Sequence, residues 1–190
     1  MVINTTYKNL LFQYCQKVGF PAFWLDAIIV KESGRNPAIK NGIGASGLIQ
    51  FTKSTLKELN APAPTTYSDN FNLIEKYLSV YINKFGKPKS PEILYSYIFY
   101  PSMNNGVFPK NGTSAYSLNK SLDKNNDGII DFSDLRKHLE SQLEVSKREL
   151  GYTEIIGNEN KNHSKNSLFD ISFVIIIIAL IGFFAWKTTK

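Results

Sequence analysis

Residues 31–51 read KESGRNPAIKNGIGASGLIQF and contain one carboxylate, Glu32, followed by a glycine-rich run. Within that run, GIGASG has the G-x-G-x-x-G spacing of a dinucleotide-binding loop. Such a loop follows a strand, opens a helix and is followed by an acidic residue about 20 positions later. Here the preceding residues have a helical pattern and no such acid follows a second strand. The glycines instead indicate a backbone that passes close to another group.

The helix before the glycine run carries Glu32 on its apolar face. Leu25, Ile28, Ile29 and Glu32 are spaced i, i+3, i+4 and i+7, which aligns them on one side of an α-helix. Two interpretations remain open. Either Glu32 is exposed where the helix ends, or it borders a cleft with apolar neighbours. In a cleft, desolvation would raise its pKa and allow it to hold a proton near neutral pH.

The first 100 residues predict a set of short helices with no strand alternation. Glycine and proline separate apolar periodic segments, and 43% apolar residues suffice for a packed core. The predicted fold class is therefore mainly α. The helical segments are 5–19, 21–34, 51–60, 70–86 and 90–101.

Three motifs carry a resemblance to a known family. They are Glu32-Ser33, the segment GASGLIQ at 44–50 and the segment LYSYIFYP at 94–101. The chain resembles the lysozyme-like lytic transglycosylases (the SLT and goose-type lysozyme superfamily), which carry Glu-Ser, Gly-Ala-x-Gly-Leu-x-Gln and a later Ala-Tyr-Asn. The third motif departs, because aligning Tyr97 with the tyrosine puts Ile98 in place of the asparagine. Over roughly 10–145 the chain looks like a phage-associated branch with an EF-hand-like loop.

The resemblance implies a lysozyme-like helical domain that cleaves the MurNAc–GlcNAc β-1,4 bond of peptidoglycan glycan strands. Glu32 would act as the single acid and base and leave 1,6-anhydro-MurNAc ends, without a cofactor for catalysis. Ser46 and Gln50 would hold the sugar, and Tyr97 would support the cleft. Two alternatives stay open: a hydrolytic lysozyme, and a non-catalytic glycan-binding or structural virion membrane protein.

A second motif, DKNNDGIIDFSD at residues 123–134, has the spacing of an EF-hand calcium loop. Gly128 falls at position 6, where the loop turns sharply. The chain has Asp rather than the usual Glu at position 12. We predict a structural Ca²⁺ held by six residues: Asp123, Asn125, Asp127, the Ile129 carbonyl, Asp131 and Asp134.

The C-terminal sequence ISFVIIIIALIGFFAW, residues 171–186, carries no charge. With residues 168–170 it approaches the ~20 residues that span a bilayer core, and Trp186 and Lys187 suit its interface. A buried core helix is the alternative. The predicted domains are a lysozyme-like transglycosylase domain (1–118), an EF-hand-like calcium loop with its exiting helix (119–150), a polar tether (151–167) and a transmembrane helix (168–187).

Charge, cysteine content and targeting features limit which partners and which location the sequence allows. The first 100 residues carry 11 Lys/Arg against 6 Asp/Glu, which suits an anionic polymer such as cell wall, and no Arg-rich or aromatic-interleaved patch suggests nucleic acid. Cys15 is the only cysteine, which excludes an internal disulfide. The N-terminus lacks signal-peptide features. We therefore expect a single-pass, C-terminally anchored protein of a phage's internal membrane that acts in genome entry beside other virion proteins. The alternative location is the bacterial inner membrane.

Overall fold

A computed structural model describes residues 3–152 of the 190-residue chain, and this part is mainly helical, as predicted. Two 3₁₀ segments, Pro101–Asn105 and Lys120–Leu122, connect the later helices. Isolated bridges replace a sheet within the described residues. The α-helices are α1 (Thr5–Val18), α2 (Ala22–Ser33), α3 (Lys53–Glu58), α4 (Tyr67–Phe85), α5 (Pro91–Phe99), α6 (Ser114–Asn119) and α7 (Phe132–Leu150).

Local sequence signals define the ends of the first two helices. The Asn4 side chain caps α1 by accepting a hydrogen bond from the Tyr7 amide. Gly19 and Gly34 end α1 and α2 in the left-handed region, with φ of 89° and 58°, and each donates its amide to the preceding turn. Pro21 lies at the N-cap of α2, one position before the first turn in which it was expected.

Helix α2 forms the centre of the core. Leu25, Ala27, Ile28 and Ile29 are fully buried, so the helix is covered on more than one side. It packs against α1, α5 and α7. Because these neighbours hold α2, the position of its last residues depends on α5 and α7 as well as on its own sequence.

Helix α7 belongs to the same core as the preceding helices. Leu135, Leu139 and Leu143 recur every four residues, and all three are buried. Just beyond α7, the Tyr152 hydroxyl accepts a hydrogen bond from the Ala22 amide at the start of α2. Segments 1–118 and 119–150, predicted as separate units, thus share one core within residues 3–152.

The predicted membrane helix at 168–187 and most of the predicted tether at 151–167 lie outside the described residues. Between residues 3 and 152, no helix is both long enough and apolar enough to cross a bilayer.

Candidate active site

Glu32 lies in the last turn of α2 and borders a pocket of about 370 Å³. Three parts of the chain form the pocket walls: residues 41–52, 95–99 and 119–138. Glu32 is the only acid among the fourteen residues that line the pocket in the described part of the chain. The lining residues are Glu32, Asn41, Ile43, Ala45, Ile49, Gln50, Thr52, Tyr95, Ile98, Phe99, Asn119, Ser121, Leu122 and His138.

The environment of Glu32 favours its protonated form. Burial raises the pKa of Glu32, and a hydrogen bond from Tyr95 offsets part of that rise. The Tyr95 hydroxyl donates to Glu32 Oε1 at 2.8 Å. Burial and the Glu32 charge raise the pKa of Tyr95 as well, so this phenol remains a donor at physiological pH. Of the two interpretations of the helix pattern, the structure places Glu32 beside a cleft with apolar neighbours.

The glycine run folds into two tight turns beside Glu32. Asn41 accepts the Gly44 amide and donates its own amide to Ala45, while its side chain accepts the Ile43 and Ala45 amides. Ser46 and Phe51 then exchange two main-chain hydrogen bonds of 3.0 and 2.8 Å. No strand precedes this run and no helix opens from it, so the structural context of a nucleotide loop is missing across residues 31–52.

Asn70 on α4 holds the glycine run against the rest of the domain. Its buried side chain accepts the Leu48 amide at 2.6 Å and donates to the Pro37 carbonyl at 2.9 Å. Gly47, with φ of 78°, passes directly beside it, since an added Cβ would lie 2.4 Å from Asn70 Oδ1 and 2.6 Å from Pro64 Cγ. Glycine is therefore required at this position by both conformation and space. The sequence pattern gave no sign of the Asn70 anchor.

The predicted sugar-holding residues lie in different settings. Gln50 lines the pocket, with φ of 53° and its Nε2 donating to the Gly47 carbonyl. Ser46 does not line the pocket. It is buried, and its Oγ has no hydrogen-bond partner. Ser33, the second residue of the Glu-Ser pair, donates to the Ile29 carbonyl and secures the end of α2. Asn41, which the motif comparison passed over, lines the pocket instead.

The tyrosine beside Glu32 is Tyr95 and not Tyr97. Tyr97 is fully buried, and its hydroxyl donates to the Gly86 carbonyl at 3.0 Å. Residues two apart on a helix point to different sides, so only one of this pair can face α2. The resemblance aligned Tyr97 with the family's tyrosine, whereas the packing of α5 turns Tyr95 toward Glu32. In this register Ser96, rather than Ile98, follows the tyrosine that contacts Glu32.

A buried ion-pair network fixes the chain that leaves α2. Arg35 makes two contacts with Asp26, Nε to Oδ1 at 2.8 Å and Nη2 to Oδ2 at 2.6 Å, and a third with Glu149 of α7 at 2.7 Å. Tyr7 donates to the same Asp26 carboxylate at 2.6 Å. Burial alone would lower the pKa of Arg35, but Asp26 and Glu149 raise it, so the guanidinium stays charged.

The acidic loop at 123–134 has the turn that its sequence predicted. Gly128 adopts φ of 85° and donates its amide to Asp123 Oδ2 at 3.0 Å, where the Tyr116 hydroxyl also donates at 2.7 Å. Asp131 caps α7 by accepting the Ser133 amide. The loop therefore leads directly into α7.

The carboxylates of Asp123 and Asp134 differ in how many of their oxygens accept hydrogen bonds. Asp123 Oδ1 is buried and has no hydrogen-bond partner. In contrast, the Asp134 carboxylate accepts the amides of Lys124 and Asp131, at 2.8 and 3.0 Å. No group of three His, Cys, Asp or Glu side chains in residues 3–152 is already arranged to hold a metal ion.

Comparison with known proteins identifies the family. Residues 9–120 match the family model described as the transglycosylase SLT domain, which is more than half of the chain. The chain belongs to this family. No curated protein matches it. Among solved structures, the 70 kDa soluble lytic transglycosylase SLT70 from Escherichia coli is 21% identical, with a TM-score of 0.43. The match covers 77% of this SLT-family chain and 24% of the E. coli chain.

Proposed function

We propose that this SLT-family chain is a peptidoglycan lytic transglycosylase in which Glu32 is the single catalytic acid and base. One observation carries the proposal: a glutamic acid with a raised pKa lines a pocket to which no second carboxylate contributes in the described residues. Family membership supports the substrate class. The hydrogen bond from the Tyr95 hydroxyl holds the Glu32 carboxyl group in one orientation.

The chemistry requires two proton transfers at one carboxyl group, one from Glu32 and one back to it. Protonated Glu32 donates to the glycosidic oxygen as the bond from MurNAc C1 to that oxygen breaks. The C6 hydroxyl oxygen of the same MurNAc forms the new bond to C1, and its proton passes to the Glu32 carboxylate. The acid is regenerated and no water is consumed. A retaining or inverting hydrolase in contrast uses a second carboxylate as nucleophile or base.

The experiment compares the full chain with two variants on purified peptidoglycan. Glu32→Gln removes the proton donor, and Glu58→Gln is the matched control because Glu58 is exposed on α3. We expect loss of activity only in the first variant. Mass spectrometry should find 1,6-anhydro ends, one water lighter than hydrolysed ends. Hydrolysed products alone would instead identify a lysozyme. Equal activity of Glu32→Gln and the unmodified chain would exclude Glu32 as the catalytic acid, and an unmodified chain without activity would leave the non-catalytic glycan-binding role.

We also propose that the loop at 123–134 binds one structural Ca²⁺. The candidate ligands supply only oxygen, which suits a hard cation, and Asp123 Oδ1 is a buried oxygen without a partner. Asp134 would have to exchange main-chain hydrogen bonds for the ion. The remaining ligands would be Asn125, Asp127, the Ile129 carbonyl and Asp131. The ion would order the loop and take no part in bond cleavage.

Calorimetric titration of the chelator-treated full chain with CaCl₂ tests this site. We expect one Ca²⁺ per chain and a higher thermal midpoint with CaCl₂ than with chelator. Asp123→Asn should weaken binding and reduce the shift. Glu140→Gln, on the exposed side of α7, is the control and should bind normally. Absence of both heat and stabilisation in the unmodified chain would exclude the site.

The membrane and virion assignments rest on sequence alone. We propose that residues 168–187 anchor the protein in a membrane, because residues 171–186 carry no charge. The phage-like motif order supports a virion protein that acts in genome entry. Purified particles should contain the protein in their membrane fraction. Its presence only in membranes of uninfected cells would support the bacterial location.

A further inference from the structure

His138 reaches the Glu32 pocket from α7, beyond residue 120 where the SLT match ends. Its imidazole ring stacks on Tyr95, with ring centroids 5.9 Å apart and the planes inclined by 14°. Tyr95 in turn donates its hydroxyl to Glu32 Oε1 at 2.8 Å. Side chains from three helices are thus in contact in series: Glu32 of α2 with Tyr95 of α5, and Tyr95 with His138 of α7.

We infer that His138 is a positioning residue, whose stacked ring fixes the Tyr95 side chain and so directs the tyrosine hydroxyl to Glu32. The inference rests on the proposed function of Glu32. Tyr95 also neighbours Phe99, at 6.0 Å between ring centroids, so the rings of His138 and Phe99 together restrict its movement. Removing the imidazole would open space on the pocket side of Tyr95. The hydroxyl would then lose its fixed direction toward the carboxyl group.

The electrostatic setting suits a neutral ring at this place. Burial lowers the pKa of His138 to about 4, and the nearby charges of Lys31 and Lys124 act in the same direction. A neutral imidazole stacks on the phenol without placing a cation next to the acid. A permanent cation there would favour the ionised form of Glu32 and deplete its proton.

A double-mutant cycle separates positioning through Tyr95 from direct contact with the glycan. The full-length variants are His138→Ala, Tyr95→Phe and the double substitution, assayed on peptidoglycan over a range of concentrations. We expect His138→Ala to lower kcat about tenfold, in line with the cost of misplacing a catalytic group, and to change KM less. In the Tyr95→Phe background, which has no hydroxyl to position, the same substitution should change kcat less than about twofold.

Two further variants keep the outcome interpretable. His138→Phe retains a flat ring for stacking and should restore most of kcat. Lys137→Ala changes the exposed neighbour on α7 and should match the unmodified chain. Equal thermal midpoints would exclude unfolding as the cause of a loss. The inference is overturned if His138→Ala costs the same factor with and without the Tyr95 hydroxyl, or if His138→Phe is as impaired as His138→Ala. If Glu32→Gln remains fully active, the proposed function fails instead.

Discussion

Replacing Arg35 with methionine should destabilise the whole domain. The substitution keeps much of the aliphatic side chain and removes the guanidinium that contacts Asp26 and Glu149. Arg35 is 7% exposed and Asp26 is fully buried. The variant would therefore leave a buried carboxylate with Tyr7 as its remaining side-chain donor.

The magnitude follows from this burial. Removing one member of a buried ion pair leaves an uncompensated charge and costs about 3–5 kcal/mol. An exposed pair is worth about 1 kcal/mol or less, since water and salt screen it. Lys17–Glu75 is such a pair, with side chains 66% and 49% exposed, and Lys17→Met is therefore the matched control. The two variants remove the same type of interaction from opposite environments.

Urea denaturation of the full chain, followed by circular dichroism, measures both free energies of unfolding. A second variant that combines Arg35→Met with Asp26→Leu removes both charges of the buried Arg35–Asp26 pair and leaves only the partly exposed Glu149. It should recover part of the loss, because the cost lies in the unpaired carboxylate and not in the missing attraction alone. Equal, sub-kcal/mol losses in Arg35→Met and Lys17→Met would refute the reasoning. A double variant less stable than Arg35→Met would refute it too.

Three further outcomes can be measured on single variants. Tyr95→Phe removes a hydrogen bond that lowers the pKa of Glu32, so the alkaline limb of the kcat/KM profile should move to higher pH; a downward shift contradicts this. Because the pKa of Glu32 is raised on folding, stability is lost as pH rises through the folded value. Glu32→Gln should therefore gain stability relative to the unmodified chain at pH 8 but not at pH 4, measured by urea denaturation. Gly47→Ala should cost more than about 1 kcal/mol, because it meets Asn70 at positive φ, while Gly42→Ala should be nearly neutral; equal midpoints would contradict the packing argument.

Features that depend on local sequence were predictable. Helix stops at Gly19 and Gly34 follow from a conformation that glycine adopts without strain, and both occur as expected. The spacing of Leu25 to Glu32 was enough to place the acid on an otherwise apolar helix face. The sharp turn at Gly128 was also encoded by a short motif. In each case, residues within a few positions of one another decide the conformation.

The environment of the acid depended on contacts between residues far apart in the chain. Tyr95 and Tyr97 are both aromatic residues of one helix, and only the packing of α5 against α2 determines which hydroxyl reaches Glu32. The contribution of His138 requires α7 to fold back onto the pocket. Asn70 likewise shapes the glycine run across 22 residues of sequence.

The sequence by itself therefore determined the helical class, the candidate acid and the glycine-rich wall beside it. The tertiary structure decided which side chains surround that acid and in which direction they shift its pKa. The physical reason is that helix formation and turns depend on neighbours along the chain. A pKa instead depends on solvent exclusion and on hydrogen-bond partners brought together by packing.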